Sequence, residues 1–147
     1  MIDIDLMDEW GGIDKKIKSS VLGLNKHGIV TTGSCEGDKA PCPWIMVKSP
    51  NKKIKYKFNN LLREFYKKRK VAKDVRIKTF AVGSRFYIYS GKRETFASWR
   101  RYVNKTANII TQDKKQGPIK KWVSTTGYQK EFIQFGEFLL SKQLLTS

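Results

Sequence analysis

The stretch that decides the fold is VRIKTFAVGSRFYIYS, residues 75–90. Its two halves, 75–82 and 85–90, are rich in β-branched and aromatic residues, which favours strands. Only Gly83 and Ser84 separate them, and a leading glycine suits the type II′ turn of a two-residue hairpin. Because a tight turn joins antiparallel neighbours, this segment predicts a mainly antiparallel sheet.

The N-terminal half adds a helix and two further strands. Apolar residues recur at helical spacing across 13–26, and His27-Gly28 is a typical helix end. The β-branched run IVTTG at 29–33 predicts a strand, and WIMVKS at 44–49 predicts another.

A third strand is predicted from strict alternation in the segment KIKYKF, residues 53–58. Its apolar positions would face the core, and its three lysines, Lys53, Lys55 and Lys57, would form one wet face. A helix would then begin at Asn59 or Asn60, since asparagine is a common N-cap residue.

Three more helices are predicted at 92–109, 118–124 and 128–143, from apolar residues at helical spacing. The predicted order is α-β-β-β-α-β-β-α-α. We therefore expect an α+β fold with about five strands, mainly antiparallel, and with the helices packed on one side. The length fits one basic domain over 13–147, preceded by an acidic arm at 1–12.

The charge balance gives the main functional signal. Thirty lysines and arginines oppose thirteen acidic residues, for a formal net charge of +17, far more than the roughly 2 to 8 that solubility requires of a small domain. Such a surplus repels itself unless a polyanion neutralises it, which predicts a nucleic-acid partner, RNA slightly favoured over DNA. Alternate residues of a strand repeat at about 6.6 Å, close to the spacing of phosphates, so the lysine face at 53–57 would follow a backbone.

The predicted phosphate contacts lie on that strand face and on the helices around it: Lys48, Lys52, Lys53, Lys55, Lys57, Lys67, Lys68, Arg69, Lys70, Arg93, Arg100, Arg101 and Lys105. Candidates for base stacking are Trp44, Tyr56, Tyr87, Tyr89, Trp99 and Trp122. Trp10 and Tyr89 are expected to be the exposed aromatic residues. No motif for sequence-specific recognition is present, so contacts to the phosphate backbone are expected.

Chemistry-bearing residues concentrate at 34–38, in the sequence SCEGD. Glu36 and Asp38 are the candidate catalytic residues, because two carboxylates in a basic protein could act as acid and base or hold Mg²⁺ against a phosphodiester. A zinc site is disfavoured, since Cys35 and Cys42 are seven residues apart and His27 is the single histidine. We predict no resident metal or cofactor, with Mg²⁺ required only if the protein is an enzyme.

The run GIVTTGSCEGD followed by PWI resembles a motif of bacterial and phage proteins of uncharacterised function, T-T-G-S-C-E-G-H followed by P-W-[VI]. Later pieces of the chain are similar to the same family, at 61–70, 74–77, 85–91 and 128–139. Asp38 stands where those proteins have histidine. The resemblance implies no particular activity.

Residues 14–47 also resemble, more distantly, the wybutosine-synthesis methyltransferases, which act on tRNA with S-adenosylmethionine. Ser34, Cys35 and Gly37 match that family's S-S-C-S-G-R pattern, whereas Glu36 and Asp38 replace serine and arginine. This resemblance implies an RNA partner more than a shared activity.

A third resemblance is to the LAGLIDADG homing endonucleases, through the order helix, hairpin, helix, hairpin, helix and through the sequence GSCEGD. It implies that Asp38 binds a metal ion. In that family the motif ends a helix, whereas IVTTG here predicts a strand.

Three functions therefore remain open from the sequence. The first is a nucleic-acid-binding protein, the second a Mg²⁺-dependent enzyme that acts on nucleic acid through Glu36 and Asp38, and the third a phage-encoded protein that binds or inhibits a nucleic-acid-handling complex. A cytoplasmic location and no membrane partner are expected, because the chain has neither a signal-peptide pattern at its start nor a long apolar run.

Overall fold

The computed structural model describes residues 16–35, 37, 40–48, 50–105 and 126–143. In this part of the chain the helices are α1 (Lys18–Lys26), α2 (Lys52–Phe65), α3 (Arg93–Lys105) and α4 (Thr126–Ser141). The strands are β1 (Thr31–Cys35), β2 (Trp44–Val47), β3 (Ile77–Val82) and β4 (Arg85–Ser90). They form one antiparallel sheet in the order β1-β2-β4-β3, so the fold is α+β as predicted.

The hairpin at 75–90 is confirmed. Val82 pairs with Arg85 across the turn, and Ile77 pairs with Ser90 at the other end. Gly83 has a φ of 59°, in the left-handed region that a glycine enters without steric cost. This turn sets the register of β3 against β4, and therefore decides which side chains share a face.

The predicted third strand at 53–58 is wrong, because this segment forms the first half of α2. The side chain of Asn51 caps the helix, its Oδ1 accepting a hydrogen bond from the Ile54 backbone N–H at 2.8 Å. The apolar positions 54, 58, 61 and 65 continue at helical spacing, whereas Tyr56 is 70% exposed. The helix thus begins seven residues before Asn59, and the described sheet has four strands instead of about five.

The other elements differ less from prediction. Among the described residues, α1 begins at Lys18 and β1 is shifted two residues towards the C-terminus. Residues 106–109 of the predicted helix at 92–109 lie outside the described residues. The predicted helix at 118–124, residues 13–15 of the predicted first helix and the acidic arm at 1–12 lie outside the described residues. No helix in the described ranges is long and apolar enough to span a bilayer.

The sheet is covered on both faces, so the expectation that all helices pack on one side is wrong. Phe86 and Ile88 of β4 join a core with α1, α2 and α4. Tyr87 and Tyr89 point to the opposite face, because side chains alternate along a strand. There Phe96 of α3 stacks on Tyr89, with ring centroids 4.3 Å apart.

Helices α1 and α4 cross at very short range. The Ser20 hydroxyl donates to the backbone oxygen of Phe132 at 2.5 Å, and the Lys26 ammonium donates to that of Leu140 at 2.6 Å. Two glycines permit the approach. A Cβ at Gly23 would lie 2.6 Å from the Cβ of Leu139, and one at Gly136 would overlap the backbone of Ser19.

A substitution of Gly136 by alanine should therefore destabilise the protein by about 1–3 kcal/mol, because the added methyl forces the two helices apart. Gly127→Ala is the matched control within the same helix, since a Cβ there meets nothing within 4 Å. It should be neutral or stabilising, given alanine's higher helix propensity. Urea denaturation of both variants tests this; equal midpoints would show that the close crossing is not needed.

Candidate nucleic-acid interface

The lysines at 53, 55 and 57 do not form a row. Because successive residues of a helix are about 100° apart, Lys53 and Lys57 lie one turn apart on one side of α2, and Lys55 lies on the other side. Lys55 lies over the Phe86 ring, 5.5 Å from its centroid, and the Lys57 ammonium donates to the backbone oxygen of His27 at 3.1 Å. Lys57 therefore satisfies a carbonyl at the C-terminal end of α1, where the helix dipole favours a cation.

Helix α2 instead carries a basic stripe along its solvent face. Positions 52, 56, 60 and 63 follow the spacing i, i+4, i+8 and i+11, Lys53 lies beside them, and Lys67 follows two residues after the helix ends at Phe65. We call this set the α2 stripe: Lys52, Lys53, Tyr56, Asn60, Arg63 and Lys67. From Lys52 to Arg63 it extends about 16 Å along the helix axis.

Tyr56 is the exposed aromatic residue of the stripe. With 70% of its surface accessible, it is the most exposed large apolar side chain in the described residues. Lys52 and Asn60 lie one helical turn to either side of it. A tyrosine ring open to solvent between cations offers the two contacts that an unpaired nucleotide needs, a stacking surface and a counter-charge for its phosphate.

The N-terminal turn of α2 concentrates positive charge against its own dipole. Lys52, Lys53 and Lys55 occupy this turn, which contains no acidic residue. A cation at a helix N-terminus is unfavourable by roughly 0.3–1 kcal/mol at exposed positions, the reverse of the stabilisation that an anion gains there. The arrangement weakens the free protein and favours any anion that binds nearby.

An open cavity of about 470 Å³ lies at the C-terminal end of the stripe. It is lined by Asn60, Arg63, Glu64, Tyr66, Lys67 and Arg76. Three of these residues are cationic and one is anionic, so the cavity has a net positive charge. Asn60, Arg63 and Lys67 belong to both the stripe and the cavity, which makes the two one continuous surface.

Arg69, a predicted phosphate contact, has a structural role instead. Its guanidinium forms an ion pair with the buried carboxylate of Glu131 and donates to Gln134 Oε1 at 2.5 Å. The Tyr66 hydroxyl also donates to Glu131, at 2.6 Å, and accepts from the Ile77 backbone N–H at 2.7 Å. Burial and the hydrogen bond to Glu131 raise the pKa of Tyr66, so its hydroxyl remains a donor.

Arg100, another predicted contact, is buried with 7% of its surface exposed. Its guanidinium lies over the rings of Tyr87, Trp99 and Trp44, at 4.8, 4.9 and 5.3 Å from the centroids. Burial lowers the pKa of Arg100, and the aromatic faces partly compensate its lost hydration. It cannot contact a phosphate backbone from this position.

The remaining predicted contacts lie on more than one surface. Lys48, Lys68 and Lys70 are exposed in the segments that precede and follow α2, whereas Arg93 and Arg101 are exposed on α3 and lie over Phe80, on the opposite face of the sheet. The side chain of Lys105 lies outside the described residues. The thirteen residues therefore do not form one track, and only Lys52, Lys53 and Lys67 belong to the α2 stripe.

The predicted exposure of Tyr89 is wrong. It is fully buried between Phe96 and the rest of the outer cluster, and Tyr87 is also buried. Trp44 and Trp99 are half-buried in the same cluster, while Trp10 and Trp122 lie outside the described residues. Asn60, Arg63 and Arg76 were not predicted as site residues; the helical period that starts at the Asn51 cap is the signal that identifies the first two.

Glu36 and Asp38, the candidate catalytic residues, lie outside the described residues. Gly33, Ser34 and Cys35 are in β1, so the segment follows a strand and not the end of a helix, unlike the homing-endonuclease motif. The His27 imidazole Nε2 is 2.8 Å from the backbone oxygen of Leu139, in the contact between α1 and α4. Within the described ranges, no three histidine, cysteine or acidic side chains gather as a metal site would require.

Cys42 is buried beneath the turn after β4. A Cβ at Gly91 would lie 2.6 Å from the Cβ of Cys42, so this turn packs directly against it. Burial raises the pKa of the Cys42 thiol, which keeps it protonated and unreactive. Neither Cys35 nor Cys42 forms a disulfide, and Cys35 is half-buried, its sulfur accepting a hydrogen bond from the Gly37 backbone N–H at 3.4 Å.

Comparisons with known proteins found no matching family model, no matching curated protein and no matching solved structure. The three resemblances from the sequence therefore stay predictions.

Replacement of Arg69 by methionine should destabilise the fold by about 3–5 kcal/mol, because it leaves the buried Glu131 carboxylate without its cation. Lys70→Met is the matched control, since Lys70 is exposed and one residue away. It should change the free energy of unfolding by less than about 0.5 kcal/mol. Similar denaturation curves for the two variants would contradict the structural role of Arg69.

Alkylation tests the burial of the Cys42 thiol. At pH 8 in the folded protein, iodoacetamide should leave Cys42 unmodified, because it is buried and its thiol is protonated. Mass spectrometry of peptides after native and denatured labelling measures this. Rapid native labelling of Cys42 would show that the turn at Gly91 opens readily.

Proposed function

We propose that this chain is a nucleic-acid-binding protein that contacts the phosphate backbone through the α2 stripe, with RNA slightly favoured over DNA. The observation that carries the proposal is Tyr56, 70% exposed among the cations of one helix face. An exposed tyrosine ring offers a surface on which a base can stack, and the lysines around it favour an anionic partner.

The electrostatics of the whole chain support the same partner. The net charge of +17 includes several cations used internally, namely Lys57, Arg69 and Arg100. Those on the α2 stripe have solvent on their outer side and no carboxylate within ion-pair distance among the described residues. Binding of a polyanion would release its condensed counterions and relieve the repulsion among these cations.

A Mg²⁺-dependent enzymatic function through Glu36 and Asp38 stays a prediction, because both residues lie outside the described residues. The third possibility, a protein partner with an acidic surface, is an alternative outcome of the experiment below. Such a partner would not need the stacking that Tyr56 offers.

A salt titration tests the proposal directly. If the four cations of the stripe each neutralise one phosphate of a single strand, the logarithm of the association constant should fall with the logarithm of salt concentration with a slope of about −3. Fluorescence anisotropy with labelled RNA and DNA oligonucleotides of the same sequence gives both slopes and shows which sugar is preferred. A flat slope, or no binding at low salt, would reject the proposal.

The role of Tyr56 is tested by Tyr56→Ala. Loss of one stacked base should weaken binding by roughly 1–3 kcal/mol, with little change in the salt slope because no charge is removed. Tyr102→Ala is the control, since Tyr102 is a 45%-exposed tyrosine on α3, away from the stripe. Equal losses in the two variants would mean that Tyr56 does not contact the nucleic acid.

A further inference from the structure

The cavity at the end of the α2 stripe has a preorganised wall. The Tyr66 ring is fixed by the two hydrogen bonds of its hydroxyl, to Glu131 and to the Ile77 backbone N–H. The Arg76 guanidinium lies over this ring, with its carbon 4.0 Å from the centroid. Arg76 is thus held at the cavity by stacking and keeps its N–H groups for other partners.

Hydrogen bonds also position the polar side chains that α2 contributes to the cavity. The Arg63 guanidinium donates to Asn60 Oδ1 at 3.2 Å, and the Lys142 ammonium pairs with Glu64 Oε2 at 2.6 Å. The Asn60 amide nitrogen and Glu64 Oε1 have no hydrogen-bond partner among the described residues. The cavity therefore presents one free amide donor and one free carboxylate acceptor next to three cations.

A cavity with an amide donor, a carboxylate acceptor and three cations favours some ligands over others. A bare polyphosphate would leave the Asn60 amide and the Glu64 carboxylate without a hydrogen-bond partner, whereas a nucleotide presents a phosphate for Arg63, Lys67 or Arg76 and a polar base edge for Asn60 and Glu64. The volume of about 470 Å³ lies within the range of roughly 300–1,000 Å³ that is typical of small-ligand pockets. A paired nucleotide could not enter, because its base edge is occupied and its neighbours are stacked.

We propose that the cavity receives one unpaired nucleotide of the strand that lies along the α2 stripe, so the protein prefers single strands to duplexes. This inference rests on the proposed nucleic-acid binding. Tyr56 stacks a base at one end of the stripe, and the cavity holds a nucleotide at the other. Arg63, which lies between them, contacts the intervening phosphate.

The matched pair Lys67→Gln and Lys68→Gln tests this inference. Both lysines are exposed and adjacent, and each substitution removes one positive charge, but only Lys67 lines the cavity. Binding of a single-stranded oligonucleotide and of the corresponding blunt duplex is measured for both variants and the wild type at one salt concentration. Arg76→Gln is a second cavity variant, with its thermal unfolding checked because Arg76 packs on Tyr66.

The wild type should bind the single strand about tenfold more tightly than the duplex. Lys68→Gln should weaken both ligands alike and keep that ratio, whereas Lys67→Gln and Arg76→Gln should lower it towards one. If Lys67→Gln and Lys68→Gln keep the same ratio, or the wild type binds both ligands equally with a steep salt slope, the cavity proposal is wrong and binding along α2 stands. If the wild type binds neither ligand, the proposed function itself fails.

Discussion

The fold depends on β4, which is hydrogen-bonded to a strand on each edge and covered on each face. Phe86 and Ile88 face the core with α1, α2 and α4, and Tyr87 and Tyr89 face α3. Phe86 also holds α2 in place, since its ring meets that of Phe58 edge-on with centroids 6.5 Å apart. The orientation of the solvent face of α2, and so of the proposed interface, follows from this contact.

The sequence predicted those parts of the fold whose signals are local. The β3–β4 hairpin was identified because its turn glycine and its strand composition indicate the same structure. The predicted strand at 53–58 is wrong because Ile54 and Phe58, four residues apart, fit a helical period as well as an alternating one, and the third apolar residue, Tyr56, is exposed. The helix is indicated by Leu61, Phe65 and the cap at Asn51, all of which lie outside the segment 53–58.

The sequence predicts the residue types of the proposed interface but not their placement. A sequence gives the net charge, yet it does not show which cations the fold itself uses. Arg69 neutralises a carboxylate 62 residues away along the chain, and Arg100 lies among aromatic rings contributed by two strands and its own helix. Lys78, whose ammonium donates to three backbone oxygens, has its pKa lowered to about 8 by burial. Such roles depend on tertiary contacts, which local patterns do not encode.

Because α2 is amphipathic, its solvent face can change in evolution independently of its buried face. Ile54, Phe58, Leu61 and Phe65 anchor the helix, and none of them belongs to the α2 stripe. Substitutions at the outward positions can therefore accumulate without disturbing the packing of the buried ones, because surface substitutions usually alter the free energy of unfolding by less than about 0.5 kcal/mol. The residues of the α2 stripe can therefore change in evolution while the fold is retained.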